Sequence, residues 1–283
     1  MAELVGYAIR DGVAVVTVDN PPVNALSPGV PESIEEAISR AGADPSARAV
    51  VLIGAGSTFI AGADIRFFET IPSREASIER SHAIHARLRR MEDCPKPVVA
   101  AIHGTALGGG MEFAMACHYR VAVPSAKVGQ PEVLLGIIPG AGGTQRLPRL
   151  AGIATALEMC TQGNHISAAR ALKEGAIDRV IEGDLLTGAI QFALEQAGPR
   201  RTRDLPVKPA STDEVRAALK KTARGARAPF ACVEAIEAAM TLGFDAGCER
   251  EIQLFADCVL SSESKAMVKL FFAEREASKV PGV

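Results

Sequence analysis

The sequence contains no tryptophan and only two tyrosines among its 283 residues, so it offers few aromatic surfaces on which bases could stack. Its formal net charge of −2 gives no broad basic field of the kind that holds a nucleic acid. No apolar run approaches the roughly 20 residues that a bilayer-spanning helix needs, and the N-terminus lacks a secretory apolar core. We therefore expect no nucleic acid partner and no membrane partner, and predict a soluble intracellular protein.

A CxxC pair is also missing, although the chain has six cysteines. Scattered cysteines of this kind predict reduced, partly buried thiols rather than a disulfide framework or a zinc site. His82 and His85 lie one helical turn apart, but no neighbouring cysteine or histidine completes a set of metal ligands. We predict that both histidines are surface residues and that the chain binds no metal. The cysteines are Cys94, Cys117, Cys160, Cys232, Cys248 and Cys258.

Short apolar runs rich in β-branched residues recur through the first half of the chain, and each predicts a buried strand. They lie at residues 13–18, 49–53, 98–102, 119–123 and 127–129. Helical patterns at residues 32–40 and 76–91 separate them. Alternation of strand and helix predicts an α/β fold with parallel pairing.

The second half of the chain has a different character. Beyond Ser167 only residues 179–181 form a weak strand candidate, and from Thr212 onward the pattern predicts three or four helices. The basic, proline-bearing stretch at residues 198–209 is typical of a linker. We predict a division into residues 1–197 and 198–283, with the apolar faces of the later helices packed against the first part.

The glycine triplet of LGGGME, at residues 108–110, follows a predicted strand and precedes a helical run. Glycine permits positive φ and close approach of a ligand, and N–H groups at a helix start lack intrahelical partners. The N–H of Gly109 could therefore donate to an anionic oxygen, and the small-residue turn at residues 61–64 could aim a second one. A plain strand-to-helix turn explains the triplet equally well.

Two other glycine-rich stretches do not match the dinucleotide-binding fingerprint. The first, at residues 54–59, has Phe59 where a small residue is required, and the second, at residues 139–143, lacks the preceding strand and the spacing. We therefore expect no NAD site.

Glu112 and Glu132 stand twenty residues apart, each next to a stretch that bends the backbone. Paired carboxyl groups suit acid and base catalysis, and burial would raise a carboxyl pKa toward neutrality. The alternatives are that Glu112 only complements the helix dipole, and that Glu132 is a capping or ion-pair residue. Its candidate partners would be Arg120, Arg146 and Arg149.

Three motifs carry a resemblance to a known family: AGADI at residues 61–65, ALGGGMEFAMAC at 106–117 and GQPEVLLGIIPGAGGTQRLPRLAG at 129–152. Together they resemble the crotonase family, specifically enoyl-CoA hydratases, over roughly residues 5–195. The resemblance implies a ββα spiral core, here followed by a C-terminal helical segment. It also implies an acyl-CoA substrate and no metal or redox cofactor.

The resemblance further implies roles for individual residues. The N–H groups of Ala63 and Gly109 would form an oxyanion hole for the thioester carbonyl. Glu112 and Glu132 would flank one water molecule and the Cα–Cβ double bond, with the division of acid and base left open. Gly140 would help to place the water through its main chain.

For the coenzyme A part, the resemblance implies adenine contacts from the backbone between Ala61 and Ile65, including Asp64. Arg66 follows this turn directly and could contact the CoA phosphates, as could Lys96.

One departure from simple hydratases is His118 in CHYRVA, where they have aspartate. Together with PFACVEAIEAAM at residues 229–240 and KAMVKLFFAERE at 265–276, it resembles multifunctional β-oxidation proteins. In those proteins a 3-hydroxyacyl-CoA dehydrogenase follows the hydratase. We interpret His118 itself as a structural hydrogen-bonding residue rather than a catalyst.

The resulting prediction is an enoyl-CoA hydratase of fatty-acid β-oxidation that can also isomerise Δ3 to Δ2 enoyl-CoA. The alternative is a hydratase-like scaffold that docks a 3-hydroxyacyl-CoA dehydrogenase, although the two intact glutamates argue against a purely non-catalytic role. The resemblance leaves monomer and homo-oligomer open. Because the terminal PGV is not an SKL-type peroxisomal signal, we expect a cytoplasmic location.

Overall fold

The computed structural model describes residues 4–277. The strands are β1 (Val5–Arg10), β2 (Val13–Val18), β3 (Ala49–Gly54), β4 (Val98–Ile102), β5 (Thr105–Leu107), β6 (Tyr119–Ala122), β7 (Lys127–Gly129), β8 (His165–Ser167) and β9 (Arg179–Val180). The helices are α1 (Val30–Ala43), α2 (Arg66–Glu69), α3 (Arg74–Glu92), α4 (Gly109–Ala116), α5 (Gly143–Gln162), α6 (Ala168–Glu174), α7 (Leu185–Glu195), α8 (Asp213–Thr222), α9 (Ala228–Thr241), α10 (Phe244–Val259) and α11 (Ser262–Ala277). Two short 3-10 helices span Glu132–Leu135 and Thr202–Asp204.

A central six-stranded sheet has the order β1-β2-β3-β4-β6-β9. Only β1 runs antiparallel to its neighbour, and the remaining pairs are parallel. Successive side chains enter different cores: Val16 and Val50 join the main cluster, whereas Val15 and Val51 join a second cluster with residues of α7. Because both faces are covered, these strands appear in the sequence as continuous apolar runs.

A second sheet of three short strands has the order β5-β7-β8. Isolated parallel bridges between Leu26 and Ala63 and between Ile60 and Ala106 extend it. The chain thus repeatedly contributes a long strand to the central sheet, a short extended segment to the small sheet and then a helix, as in β4, β5 and α4. This is the predicted ββα arrangement, and it brings the turns before the helices together at one end.

The C-terminal helices pack on the first part of the chain, as predicted. Helix α9 lies against α5, and α10 lies against α9 and α3. Val233 and Ile236 of α9 and Phe255 of α10 belong to the main hydrophobic cluster. The predicted linker is held in place by hydrogen bonds, among them one from the Arg203 amide to Glu92 Oε1 at 2.8 Å.

The predicted strands and helices agree with these elements, but the sequence pattern predicted no helix for residues 143–195, where α5, α6 and α7 lie. All six predicted strands exist, and four helices follow Thr212. The pattern missed β1, an edge strand with three exposed residues, and the three-residue strands β5 and β8. Such short or half-exposed segments show neither a clear alternation nor an apolar run.

All six cysteines are free thiols, as predicted, and all six are buried rather than partly buried. Burial raises the pKa of Cys258 to about 11 and that of Cys117 to about 12. Among residues 4–277, no helix combines the length and apolarity that crossing a membrane requires.

Candidate active site

A cavity of about 250 Å³ lies where the small sheet meets α3, α4 and α10. Two carboxyl groups and a set of backbone amides face it, and the rest of the wall is mainly apolar. The apolar side chains include those of Leu26, Phe68, Ile71, Ile84, Phe113, Leu135, Ile137 and Phe255. A cavity of this kind suits a ligand with an apolar body and one polar reacting group.

Two backbone N–H groups converge at one side of the cavity. Gly109 is the first residue of α4, so its N–H has no intrahelical acceptor, and Ala63 lies in the turn that pairs with Leu26. A Cβ atom placed on Gly109 would lie 3.5 Å from the Ala63 nitrogen. Within residues 4–277 neither N–H group donates a hydrogen bond to the chain. Both donors are therefore available to a ligand.

The glycine triplet is required by close approaches as well as by conformation. Gly108 has a φ of 51°, and a Cβ atom there would lie 2.8 Å from Glu132 Oε1. A Cβ atom on Gly110 would lie 2.1 Å from the Ile60 carbonyl oxygen. These approaches explain why side chains are absent at both positions.

Glu112 lies on the first turn of α4 and is buried. Its Oε1 accepts hydrogen bonds from the Ala141 and Gly143 amides at 2.7 and 2.9 Å, whereas Oε2 makes none within residues 4–277. Burial, followed by the negative charge of Glu251, raises the pKa of Glu112 to about 8, and the two N–H donors act in the opposite direction. The carboxyl group can therefore exchange a proton near neutral pH.

Glu132 begins the 3-10 helix Glu132–Leu135 and faces the same cavity. The side-chain amide of Gln130, with its nitrogen directed at Glu132, lies 3.0 and 3.1 Å from the two carboxylate oxygens. Burial of the carboxyl group and then the charge of Glu112 raise the pKa of Glu132 well above its usual range.

The alternative in which Glu132 forms an ion pair with one of three arginines is wrong. Among the described residues, each of the three candidate arginines has another partner. These partners are Asp178 for Arg120, Glu92 for Arg146 and the Gln145 carbonyl for Arg149. Arginines inside a core are held by such fixed partners, and the sequence alone does not reveal which ones.

Most of the predicted site residues lie together. The cavity is lined by Ala61, Ala63, Ile65, Gly109, Glu112, Glu132 and Gly140. Asp64 and Arg66 lie outside it, where they form an ion pair at 2.8 Å with 76% of the Arg66 side chain exposed.

Lys96 lies elsewhere, because its Nζ donates to the Ala41 and Asp44 carbonyls at the end of α1. The prediction that Lys96 contacts CoA phosphates is therefore wrong.

The histidines divide into structural and surface residues. His118 accepts from the Val98 amide through Nδ1 at 3.0 Å, and its Nε2 lies 3.0 Å from the Glu92 carbonyl oxygen, which confirms its structural role. His82 is exposed, as predicted. The prediction is wrong for His85, whose side chain is 13% exposed because α10 covers it. No cluster of three or more potential ligands in residues 4–277 could hold a metal ion.

Sequence reasoning missed the contribution of α10 to the site. Phe255 lies against Gly140, where a Cβ atom would come within 2.6 Å of the ring, and Glu251 reaches the glycine-rich loop before α5. A signal was present: Glu251 stands three residues after Cys248 and four before Phe255, on the apolar face of the helix. A charged residue at a helix position that faces the core indicates a buried polar contact.

Comparison with known proteins gives a consistent result. Residues 8–202 match the family described as enoyl-CoA hydratase/isomerase. The peroxisomal bifunctional enzyme of Danio rerio is 45% identical over 96% of the chain, and the peroxisomal fatty acid beta-oxidation multifunctional protein AIM1 of Arabidopsis thaliana is 40% identical over all of it. The chain spans 38% and 42% of these relatives' lengths.

Among solved structures, an enoyl-CoA hydratase/isomerase from Xanthobacter autotrophicus Py2 superposes with a TM-score of 0.69 at 26% identity. The match covers 99% of this chain and 100% of the other. It confirms the predicted spiral core with its helical extension.

The expected cytoplasmic location is wrong, since these relatives are named as peroxisomal enzymes. The expectation depended on the last three residues. A tripeptide address is read at the end of a complete polypeptide, and a chain that spans about two fifths of its relatives' length offers no test of it.

Proposed function

The chain belongs to the enoyl-CoA hydratase/isomerase (crotonase) family, and on this premise we propose that it adds water across the 2-trans double bond of enoyl-CoA thioesters in fatty-acid β-oxidation. One observation carries the proposal. Glu112, Glu132 and the amides of Ala63 and Gly109, which donate to no acceptor in the described part of the chain, line the same cavity.

The two amides form the proposed oxyanion hole. Addition of oxygen at Cβ of an enoyl thioester moves negative charge onto the carbonyl oxygen. Main-chain N–H groups aimed at that oxygen stabilise the enolate-like state, and one such donor contributes about 2.7–4 kcal/mol in comparable sites. In this proposal the donors are Ala63 and Gly109, the latter assisted by the positive end of α4.

The environments of the two acids assign their roles. Glu112 Oε1 accepts two N–H bonds, which favour ionisation of Glu112 before Glu132. Glu112 therefore takes a proton from water as the water oxygen bonds to Cβ. Glu132, held neutral by burial and by the neighbouring charge, gives its proton to Cα. Solvent then returns a proton to Glu132 and removes one from Glu112.

The remaining predicted residues bind the substrate in this proposal. The main chain of Gly140 helps to place the water, and the apolar wall accepts the acyl chain. Residues 61–65 follow the coenzyme A at the cavity entrance, where Asp64 orients the exposed guanidinium of Arg66 toward the phosphates.

Hydration is tested by the loss of the conjugated thioester absorbance of crotonyl-CoA. We expect Glu112→Gln and Glu132→Gln each to lower kcat by about 10²–10⁴-fold, the contribution of one positioned acid or base. Glu182→Gln, at an exposed position after β9, is the matched control and should behave as wild type. Hydration by either active-site variant at the wild-type rate would refute the assignment.

A second activity on the same site is isomerisation of 3-enoyl-CoA to 2-enoyl-CoA. It needs one carboxyl group that, in its ionised form, takes a proton from C2 and then returns that proton to C4, and the position of Glu132 in the cavity supports this role. We expect Glu132→Gln to lose both activities and Glu112→Gln to lose hydration alone, as measured with 2-trans and 3-enoyl substrates side by side. Loss of isomerisation in Glu112→Gln would contradict this division.

The chemistry of the product suggests the next reaction. Hydration yields a 3-hydroxyacyl-CoA, whose hydroxyl group a nicotinamide-dependent dehydrogenase can oxidise. The bifunctional and multifunctional names of the relatives support a 3-hydroxyacyl-CoA dehydrogenase, in the same polypeptide or as a separate protein, as partner. The two glutamates in one cavity argue against the scaffold alternative.

A further inference from the structure

Residues 141–144 lead into α5 and include its first two residues, and their four amides are divided between two carboxylates; we refer to this segment as the amide loop. The amides of residues 141 and 143 donate to Glu112, as described above. The Gly142 amide instead donates to Glu251 Oε1 at 2.6 Å, and the Thr144 amide donates to Glu251 Oε2 at 2.9 Å. Gly142 has a φ of 90°, which turns successive N–H groups to opposite sides of the loop. Glu112 and Glu251 therefore hold the same loop from opposite sides.

Glu251 is fully buried, and a buried carboxylate is unfavourable unless its oxygens are fully hydrogen-bonded or paired. Within residues 4–277 its hydrogen-bond donors all belong to the amide loop: the two amides and the Thr144 hydroxyl, which donates to Oε2 at 2.5 Å. His85 of α3 lies beside it, with Nε2 3.3 Å from Oε1. The contacts of Glu251 are thus directed at the loop.

We propose that Glu251 is a positioning residue for Glu112. From α10 it fixes the amide loop, and with it the two N–H groups that donate to Glu112 Oε1. Oε2 of Glu112 is thereby left free to take a proton from water. The inference rests on the proposed hydratase function. Helix α10 then belongs to the active site, although Glu251 itself does not touch the substrate. The same helix contributes Phe255 to the cavity wall.

The alternative is that Glu251 only stabilises the fold. The two roles predict different results, because a stabilising residue changes the folded fraction and leaves kcat per folded molecule unchanged. A positioning residue lowers kcat and leaves substrate binding, which depends on residues 61–65 and the apolar wall, largely intact.

The decisive variant is Glu251→Gln, which keeps the shape of the side chain but replaces one acceptor oxygen with an NH₂ group that faces loop donors. We expect kcat for crotonyl-CoA hydration to fall by about 10- to 100-fold, the range for a displaced catalytic group, with KM within about twofold. The control is Glu249→Gln on the same helix, whose exposed carboxylate pairs with His82 at 2.7 Å. It should keep wild-type kcat and KM.

A second measurement does not depend on turnover. Hydrogen exchange of the peptide that covers residues 139–145 should be faster in Glu251→Gln than in wild type and in Glu249→Gln. If the proposed function itself is wrong, the wild-type protein will not hydrate any enoyl-CoA. The exchange result alone would then decide the role of Glu251.

Wild-type kcat in folded Glu251→Gln, or unchanged exchange of residues 139–145, would overturn the inference. If Glu251→Gln does not fold, Thr144→Ala takes its place; this variant removes the hydroxyl bond to Glu251 together with the acceptor of a bond from Gln145 Nε2 at 3.0 Å. A smaller fall in kcat at unchanged KM supports the positioning role, and wild-type kcat in that variant overturns it.

Discussion

At the scale of single residues, the burial of the two active-site carboxyl groups lowers the free energy of unfolding. Burial and the negative charge of Glu251 raise the pKa of Glu112 in the folded protein. In the unfolded chain the same carboxyl ionises at about its ordinary pKa. The folded state therefore binds a proton that the unfolded state releases between these two pKa values, and stability falls as the pH rises through that range.

We expect Glu112→Gln to raise the melting temperature by an amount that grows with pH. Below about pH 4.5 both side chains are neutral and the difference should be close to zero. The difference should grow up to about pH 8, the folded pKa of Glu112, and then level off. The corresponding difference in the free energy of unfolding has an upper bound of about 1.4 kcal/mol for each unit by which the pKa is shifted. Thermal unfolding from pH 5 to 9, with Glu182→Gln as control, measures it. A pH-independent difference would show that Glu112 has an ordinary pKa.

At the scale of elements, the start of α4 joins the fold to the chemistry. A proline is tolerated at the first position of a helix because the N–H there has no intrahelical acceptor. Gly109→Pro therefore removes the proposed oxyanion donor with little cost to the helix. We expect kcat to fall by about 10²–10³-fold, the effect of losing one such donor, while KM changes little.

Gly109→Ala is the matched variant, because it adds a Cβ atom but retains the N–H group. The added atom would approach Leu26 Cδ1 at 3.0 Å, and that flexible side chain can move. Steady-state kinetics should show a much smaller loss of kcat than for proline. Equal losses in the two variants would mean that crowding, rather than the missing donor, causes the effect.

The elements that carry the site were largely predictable from the sequence, whereas their long-range partners were not. The strand before the glycine triplet and the helix after it gave a clear pattern, and the family resemblance supplied Ala63 and Gly140. The partners of Arg120 and Arg146 depend on which helices meet in space. The contact between Glu251 and the amide loop joins residues more than a hundred positions apart, and no local pattern specifies such a pairing.

At the scale of the whole molecule, we propose that residues 1–197 and 198–283 are two segments of one folding unit rather than independent domains. Their apolar side chains form one continuous cluster. The second segment also supplies Glu251 and Phe255 to the region around the cavity. Separation of the segments would expose the face of α5 that α9 covers.

Truncation after Ala197 should therefore give insoluble or aggregating protein, because an exposed apolar face of this kind promotes association. The measurement is the soluble fraction after expression, with the complete 283-residue chain as control. Soluble truncated protein that hydrates crotonyl-CoA would contradict the proposal.

The distribution of the cysteines has a practical consequence for following how this molecule opens. Three buried thiols lie before residue 198 and three lie in α9 and α10, so a maleimide reagent reaches them only after local or global opening. Detachment of the helical segment would first label the sites in α9 and α10 together with Cys160 of α5, which lies against Cys232, whereas cooperative unfolding would label Cys94 and Cys117 at the same time. The native cysteines thus report which part of the molecule opens first, and no engineered labelling site is needed.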